Sequence, residues 1–167
     1  MAKKKINIQE LVGKIEGITK NRLKDSEIVS LDQYRTLVKR KDPRTILVID
    51  DDETMRTAMK RIFEGDGHKV LTAADGTQLS EVVDDSALDL IILDIGLPWI
   101  NGFELAKLMK ENEDLKEIPL IFVSGKTGDV DVKRGFDVGA NDYIKKPFDV
   151  DQIRKTVNTL LKISSSD

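Results

Sequence analysis

Short apolar runs alternate with helix-forming stretches from Thr45 to Lys162, and this alternation strongly constrains the fold. Five runs have the length of buried strands: TILVID, HKVLTAA, LDLIILD, IPLIFVS and NDYIKK. Each is followed by a stretch with helical periodicity, such as ETMRTAMKRIFEGDG after the first. Continuous apolar strands between helices are typical of parallel sheets that helices cover on both faces. The sequence therefore predicts an α/β fold with a five-stranded parallel sheet.

Four of the predicted strands end in polar residues. Asp50 and Asp51 end the first, Asp94 the third and Ser124 the fourth, and Lys146 lies just past the fifth. Ligands of open parallel sheets bind outside the carboxyl ends of the strands. We therefore expect these acids, this hydroxyl and this amine to meet at one edge of the sheet.

The first of these strands runs into four consecutive acids, Asp50 to Glu53. Two carboxylates roughly 4 Å apart repel each other by about 4 kcal/mol at an effective dielectric constant of about 20. A chain that folds with such a cluster must either spread the charges into solvent or hold a cation between them.

One interpretation of the acidic run is a phosphatase. Asp50, Asp52 and Thr54 match a DxDxT pattern and resemble the haloacid-dehalogenase-type phosphotransferases, in which the first acid is the nucleophile and the second a general acid. That family also holds magnesium with an acidic pair after its lysine. Here the acids that follow Lys146 are predicted to begin the last helix. This interpretation also leaves Asp94 without a role.

A second interpretation accounts for more of the chain. The stretches ILVIDDDETMR, LDLIILDIGLPWINGFEL, IPLIFVSGKTG and GANDYIKKPF resemble the signature stretches of the receiver domain of two-component response regulators. The resemblance runs from about Arg44 to Ile163, without gaps in the motifs. It implies a flavodoxin-like sheet with strand order 2-1-3-4-5 and helices on both faces. It also implies a signalling switch rather than a metabolic enzyme.

The resemblance gives the acids distinct roles. Asp94 is expected to be the phosphoacceptor, and Mg²⁺ to be held by Asp50, Asp51, Asp94 and the backbone carbonyl of Gly96. Oxygen ligands of this kind suit Mg²⁺. Asp52 then lies outside the site and opens the next helix, where negative charge is favourable.

The remaining site residues come from the last two strands. By resemblance, Ser124 is expected to hydrogen-bond the phosphoryl group and Lys146 to pair with it, while Lys145 points elsewhere. The peptide bond between Lys146 and Pro147 is expected to be cis. Tyr143 matches the aromatic switch residue, which we expect to respond together with Ser124.

The implied function is a phosphorylation-dependent switch. Asp94 takes a phosphoryl group from a histidine kinase or a histidine phosphotransfer protein, and the Ser124 and Tyr143 region changes. A protein target then binds the face formed by the fourth helix, fifth strand and fifth helix. The alternative is a phosphorylation-independent scaffold or dimerisation protein that acts through its N-terminal segment. The intact site residues favour the switch.

The N-terminal segment differs from the rest of the chain in charge. Residues 1–44 contain 12 Lys/Arg and 6 Asp/Glu, whereas the whole chain has a net charge of −3. An apolar stripe with helical spacing runs from Ile8 to Ile18, and SLDQYRTLVKRK is predicted to form a second helix. The stripe needs cover from its own domain, a second copy or a partner. We predict a basic, helical extension over residues 1–43, a receiver domain over 44–163 and a disordered tail over 164–167.

Several classes are excluded or disfavoured by composition. The chain has no cysteine, which rules out disulfides, thiolate chemistry and cysteine–zinc sites. No apolar run reaches the roughly 20 residues of a membrane helix. Only ISSSD follows Lys162, so no DNA-binding output domain is expected, although the basic segment leaves DNA contact as a charge-based alternative. The resemblance implies a cytoplasmic protein of bacterial origin.

Overall fold

The computed structural model of the chain describes residues 9–10, 12–16, 43–85 and 87–164. The chain divides into two compact units, Met1–Asp42 and Pro43–Asp167. In the first unit, residues 9–10 and 12–16 are helical, as the apolar stripe predicts. The second predicted helix, SLDQYRTLVKRK, lies outside the described residues.

The second unit contains five strands and five helices among its described residues. The strands are β1 Thr45–Ile49, β2 Lys69–Ala73, β3 Leu90–Leu93, β4 Leu120–Ser124 and β5 Asp142–Lys145. The helices are α1 Glu53–Gly65, α2 Gly76–Asp85, α3 Gly102–Glu111, α4 Asp129–Asp137 and α5 Val150–Ser164. All strand pairs are parallel, in the order β2-β1-β3-β4-β5, which confirms the predicted flavodoxin-like fold.

The end of the last helix differs slightly from the prediction. Helix α5 continues to Ser164, so the first residue of the predicted disordered tail is helical. The Ser164 hydroxyl donates to the carbonyl of Leu160, within the last turn of the helix. Residues 165–167 lie outside the described part of the chain.

The strands bury side chains on both faces of the sheet. Ile46 and Val48 of β1 belong to one apolar cluster, while Leu47 and Ile49 belong to the other. Helices α1 and α5 close the first cluster, and α2, α3 and α4 pack on the second. No helix in the described ranges is long and apolar enough to cross a membrane. The double burial explains why the strands have continuous rather than alternating apolar sequences.

Side-chain caps fix where two of the helices begin at the carboxyl edge of the sheet. The carboxylate of Asp52 accepts a hydrogen bond from the N–H of Thr54 at 2.9 Å, and helix α1 starts at the next residue. The amide oxygen of Asn101 accepts from the N–H of Phe103 at 2.8 Å at the start of α3. Such caps satisfy backbone donors that have no partner within the helix. They fix the loops that follow β1 and β3.

Replacing Ile153 by alanine tests the burial of α5 against the sheet. Ile153 is completely buried, so Ile153→Ala should lower the free energy of unfolding by about 2–5 kcal/mol. Ile163 lies on the same helix and is 63% exposed. Ile163→Ala is the matched control and should change stability by less than about 0.5 kcal/mol. Urea denaturation followed by circular dichroism measures both, and equal losses would contradict the packing described here.

Candidate functional site

Three carboxylates meet at the carboxyl edge of the sheet. Asp50 and Asp51 follow β1, and Asp94 follows β3, the neighbouring strand. One oxygen of each lies within 4.8 Å of the others. Asp50 and Asp94 are buried, whereas Asp51 is exposed. The strand order therefore places two acids in the protein and a third at its surface, around one small volume.

Asp50 is the most tightly held of the three acids. One of its carboxylate oxygens accepts the N–H of Asp52 at 2.9 Å, and the other accepts the ammonium of Lys146, also at 2.9 Å. The Arg56 guanidinium donates to the backbone carbonyl of Asp50 at 2.9 Å. Burial raises the pKa of the Asp50 carboxyl, and the contact with Lys146 opposes this only in part. A nearby cation would favour the ionised form of this acid.

Lys146 is the positive group of the site. Its Nζ lies 2.9 Å from the carboxylate of Asp50 and 3.4 Å from that of Asp94. Burial alone lowers the pKa of Lys146, but the hydrogen bond to Asp50 and the charges of both acids outweigh it, so the pKa is raised. The neighbouring Lys145 is exposed. Of the two consecutive lysines, only the second reaches the acids.

Ser124 closes the site on the side of β4. It is the last residue of the strand and is almost completely buried. Its hydroxyl oxygen accepts the N–H of Lys126 at 3.2 Å, and its carbonyl accepts the N–H of Lys146 at 2.8 Å. The peptide bond between Lys146 and Pro147 is cis, as the resemblance implies. Ser124 is thus connected by its backbone to the lysine of the site.

Tyr143 lies inside the protein, beside the end of β4. Its hydroxyl donates to the backbone carbonyl of Lys126. Its ring packs at 5.9 Å, centroid to centroid, from the ring of Phe122. A Cβ on Gly135 of α4 would lie only 2.8 Å from the Tyr143 ring, so the missing side chain makes room for it. Burial raises the pKa of the Tyr143 phenol, and the nearby Ser124 side chain opposes this.

Two glycines lie beside Asp94, and the family resemblance points only to Gly96. Gly96 is exposed, and its N–H faces a carboxylate oxygen of Asp94 at 3.4 Å. Gly102 opens α3, where a Cβ would come within 2.5 Å of the Asp94 carbonyl oxygen and 2.4 Å of the Ile95 Cα. Only glycine allows α3 to start this close to the phosphoacceptor candidate. The Asn101–Gly102 pair before FELAKLMKE was the available signal.

A comparison with known families decides between the two interpretations of the acidic run. The family model for the response regulator receiver domain matches residues 46–158.

The chain belongs to the response regulator receiver family.

Curated relatives of this receiver are themselves response regulators. The aerobic respiration control protein ArcA of Escherichia coli K12 is 34% identical over 116 residues, which are 70% of this chain and 48% of that protein. The transcriptional regulatory protein AfsQ1 of Streptomyces coelicolor is 37% identical over 103 residues, covering 62% of this chain and 44% of the relative. The chain thus spans about half the length of the curated relatives it matches.

Solved structures of receivers have the same fold. The chemotaxis protein CheY4 of Vibrio cholerae superposes with a TM-score of 0.66 at 27% identity, over 71% of this chain and 98% of that one. A CheY-like receiver domain protein from Methanospirillum hungatei gives 0.68 at 25% identity, over 75% and 98%. These neighbours are covered almost completely, so they correspond to the receiver unit itself.

The receiver assignment leaves no place for the haloacid-dehalogenase interpretation. Asp52, its general acid, is an exposed helix cap and does not belong to the cluster of three carboxylates. Asp149, which follows the site lysine, is exposed and accepts the N–H of Asp151 at 2.7 Å as α5 begins. The carboxylate cluster therefore contains Asp50, Asp51 and Asp94, and Asp52, the second acid of the DxDxT pattern, does not belong to it.

The contact of Gly102 with the Asp94 backbone can be tested by adding one methyl group. Gly102→Ala should lower the free energy of unfolding by about 1–3 kcal/mol, because the helix or the strand end must move. It should also shift the backbone amide resonance of Asp94. In the matched control, Gly65→Ala, the added Cβ meets no atom within 4 Å, and stability should stay the same or rise by up to about 1 kcal/mol. Equal stability changes in both variants would contradict the close approach.

Proposed function

We propose that this chain is a phosphorylation-dependent switch whose phosphoacceptor is Asp94. The donor is the phosphohistidine of a histidine kinase or a histidine phosphotransfer protein. The observation that carries the proposal is the position of Lys146, whose ammonium contacts both Asp50 and Asp94 at the mouth of a three-carboxylate cluster. Such a mixed site offers a nucleophile and a positive charge to the same incoming group.

The reaction needs little from the protein beyond position and charge. A carboxylate oxygen of Asp94 forms a bond to the phosphorus, while the bond from phosphorus to the donor's imidazole nitrogen breaks and the imidazole leaves. Lys146 offsets the negative charge of the phosphoryl oxygens, and the Ser124 hydroxyl hydrogen-bonds one of them. Phosphoryl transfer is catalysed mainly by such alignment and neutralisation.

The donor set also fits Mg²⁺. Asp50, Asp51 and Asp94 offer three carboxylate oxygens within 4.8 Å of one another, and the backbone carbonyl of Gly96 is the proposed fourth ligand. Mg²⁺ is held by oxygen ligands and retains several waters, so this set suffices. When bound, the cation would supply the positive charge that clustered acids and an incoming phosphoryl group both require.

The conformational change is proposed to run from Ser124 to Tyr143. A phosphoryl group on Asp94 adds negative charge, and the Ser124 hydroxyl turns towards it. The backbone of Lys126 contacts both residues, since its N–H donates to the Ser124 hydroxyl oxygen and its carbonyl accepts from the Tyr143 hydroxyl. Phosphorylation then shifts the population towards a state with a different α4–β5–α5 face, where α4 already exposes Val130.

The output is proposed to be protein contact. The α4–β5–α5 face is the proposed surface for a target, and residues 1–43 are proposed to mediate self-association. Relatives such as AfsQ1 are named transcriptional regulatory proteins, but the match covers only the receiver half of them. The site is proposed to work in the cytoplasm, where a phosphohistidine donor can reach it.

Intact mass after incubation with Mg²⁺ and acetyl phosphate tests the phosphoacceptor. The wild type should gain one phosphoryl group, while Asp94→Asn should gain none, because an amide is not a nucleophile for this transfer. Chelation of Mg²⁺ should abolish the gain in the wild type, since the acids then lack their counter-charge.

Other outcomes of this experiment have distinct meanings. A gain that survives Asp94→Asn and vanishes with Asp50→Asn would move the nucleophile to Asp50. No gain in the wild type, even with a histidine phosphotransfer protein as donor, would favour the phosphorylation-independent scaffold.

The two adjacent lysines, Lys145 and Lys146, provide a matched pair of substitutions that tests whether the Lys146 charge assists phosphoryl uptake. Lys146→Ala should slow phosphoryl uptake by roughly tenfold or more, because a positioned charge at the reacting group is lost. Lys145→Ala removes an exposed charge and should change the rate by less than about twofold. Rates come from the time course of intact mass. Equal effects of the two substitutions would refute the proposed role of Lys146.

A further inference from the structure

An apolar groove lies between α2 and α3, away from the acids of the site. It has a volume of about 300 Å³. One large side chain in it, Leu108, is 56% exposed in the middle of α3. The apolar residues lining the groove are Leu79, Val83, Trp99, Leu105, Leu108 and Met109.

The groove continues along the same pair of helices. A second depression shares Val83, Asn112 and Leu115 with it and extends to Leu88 and Ile118. Helix α3 has ten residues, which span about 15 Å at 1.5 Å per residue. The groove is therefore long enough for about three turns of a helix laid along it.

The segments that form the groove are acidic. Residues 75–89 contain five acidic residues and no basic one, and residues 101–117 contain five acidic and three basic. Two of these three lysines are engaged locally. Lys110 donates to the carbonyls of Lys116 and Ile118, and Lys116 lies 2.8 Å from the carboxylate of Glu113. A ligand for this surface should combine an apolar face with positive charge.

The N-terminal helical segment has this chemistry. Residues 1–22 contain six Lys/Arg and two acidic residues. The helix that the sequence predicts over the apolar stripe from Ile8 to Ile18 would be about 16 Å long. Val12 and Ile15 of this stripe are 46% and 54% exposed.

We infer that the groove between α2 and α3 binds the N-terminal helical segment of a second copy of this chain. Both surfaces are apolar and their lengths agree, and the sequence segments that form the groove are acidic whereas the N-terminal segment is basic. The inference rests on the self-association proposed above and specifies the surface on which it occurs.

A two-fold dimer makes this contact twice. The segment of each copy lies on the groove of the other, so the interface is closed and no site is left open for further growth. Burial of apolar side chains provides the driving force, and the opposite charges set partner choice and orientation. The contact is expected to weaken as salt is added.

Light scattering on the full chain, over a range of concentrations, tests the inference. The wild type should reach the mass of a dimer. Leu108→Glu and Val12→Glu each place a carboxylate in the contact and should weaken dimerisation at least about tenfold. Val130 on α4 is 80% exposed, so Val130→Glu is a matched control and should leave the dimer intact. Circular dichroism verifies that each variant is folded.

Mixing the two monomeric variants identifies which surfaces meet. The Leu108→Glu chain keeps its segment, and the Val12→Glu chain keeps its groove, so one of the two contacts can form between them. A mixed dimer should therefore appear at high concentration, although each variant alone stays monomeric. No mixed dimer under these conditions would overturn the assignment of segment to groove.

The remaining outcomes separate this inference from the proposed switch. A dimer that survives Leu108→Glu, or is lost only with Val130→Glu, overturns the groove as the contact. A wild type that stays monomeric overturns the claim that the segment binds a second copy of the chain. If its Trp99 emission also changes with Val12→Glu, the segment docks within its own chain. Phosphoryl uptake from acetyl phosphate, measured on the same samples, reports on Asp94 independently.

Discussion

The contact of one ammonium with two buried carboxylates is the interaction on which the site depends. Asp50 and Asp94 end neighbouring parallel strands, so the fold itself brings like charges together. Lys146 comes from the far side of the sheet, beyond β5, and its Nζ lies within 3.4 Å of both acids. Buried charges of this kind are tolerated only when they are paired. A cation held by the three carboxylates, as proposed, would neutralise more of the negative charge than Lys146 does alone.

Around this contact, the backbone is placed by residues that take no part in the chemistry. Gly102 lets α3 begin against the carbonyl of Asp94, and Asn101 caps that helix. Arg56 ties the carbonyl of Asp50 to α1. These contacts hold the strand ends in position, and precise position is most of what the proposed phosphoryl transfer requires of a protein. Substitutions at such residues should therefore change reactivity without touching the phosphoryl group.

Much of this arrangement follows from the amino-acid sequence, and the exceptions have physical reasons. The sequence indicates the sheet through its apolar runs and their spacing, because a parallel strand covered by helices on both faces needs a continuous apolar sequence. The polar residues at the ends of these runs indicate which edge of the sheet carries the site. Asp52 could be recognised as a helix opener from its place before ETMRTAMKR. The role of Gly102 was missed because it depends on the absence of a Cβ where two backbone segments approach closely. The hydrophobic periodicity of the sequence gives no sign of such an approach. Arg56 was missed because an arginine on an amphipathic helix looks like any solvated charge until its carbonyl partner is known.

The backbone of Lys126 makes one feature of this receiver tolerant of substitution. Ser124 and Tyr143 are joined through its N–H and its carbonyl, and the side chain of Lys126 takes no part in either bond. Every amino acid except proline has both a backbone N–H and a carbonyl, so most substitutions at this position should preserve the two hydrogen bonds. Proline alone would remove one of them, since it has no N–H to donate. The proposed coupling of Ser124 to Tyr143 therefore depends on main-chain atoms and should be insensitive to most substitutions at position 126.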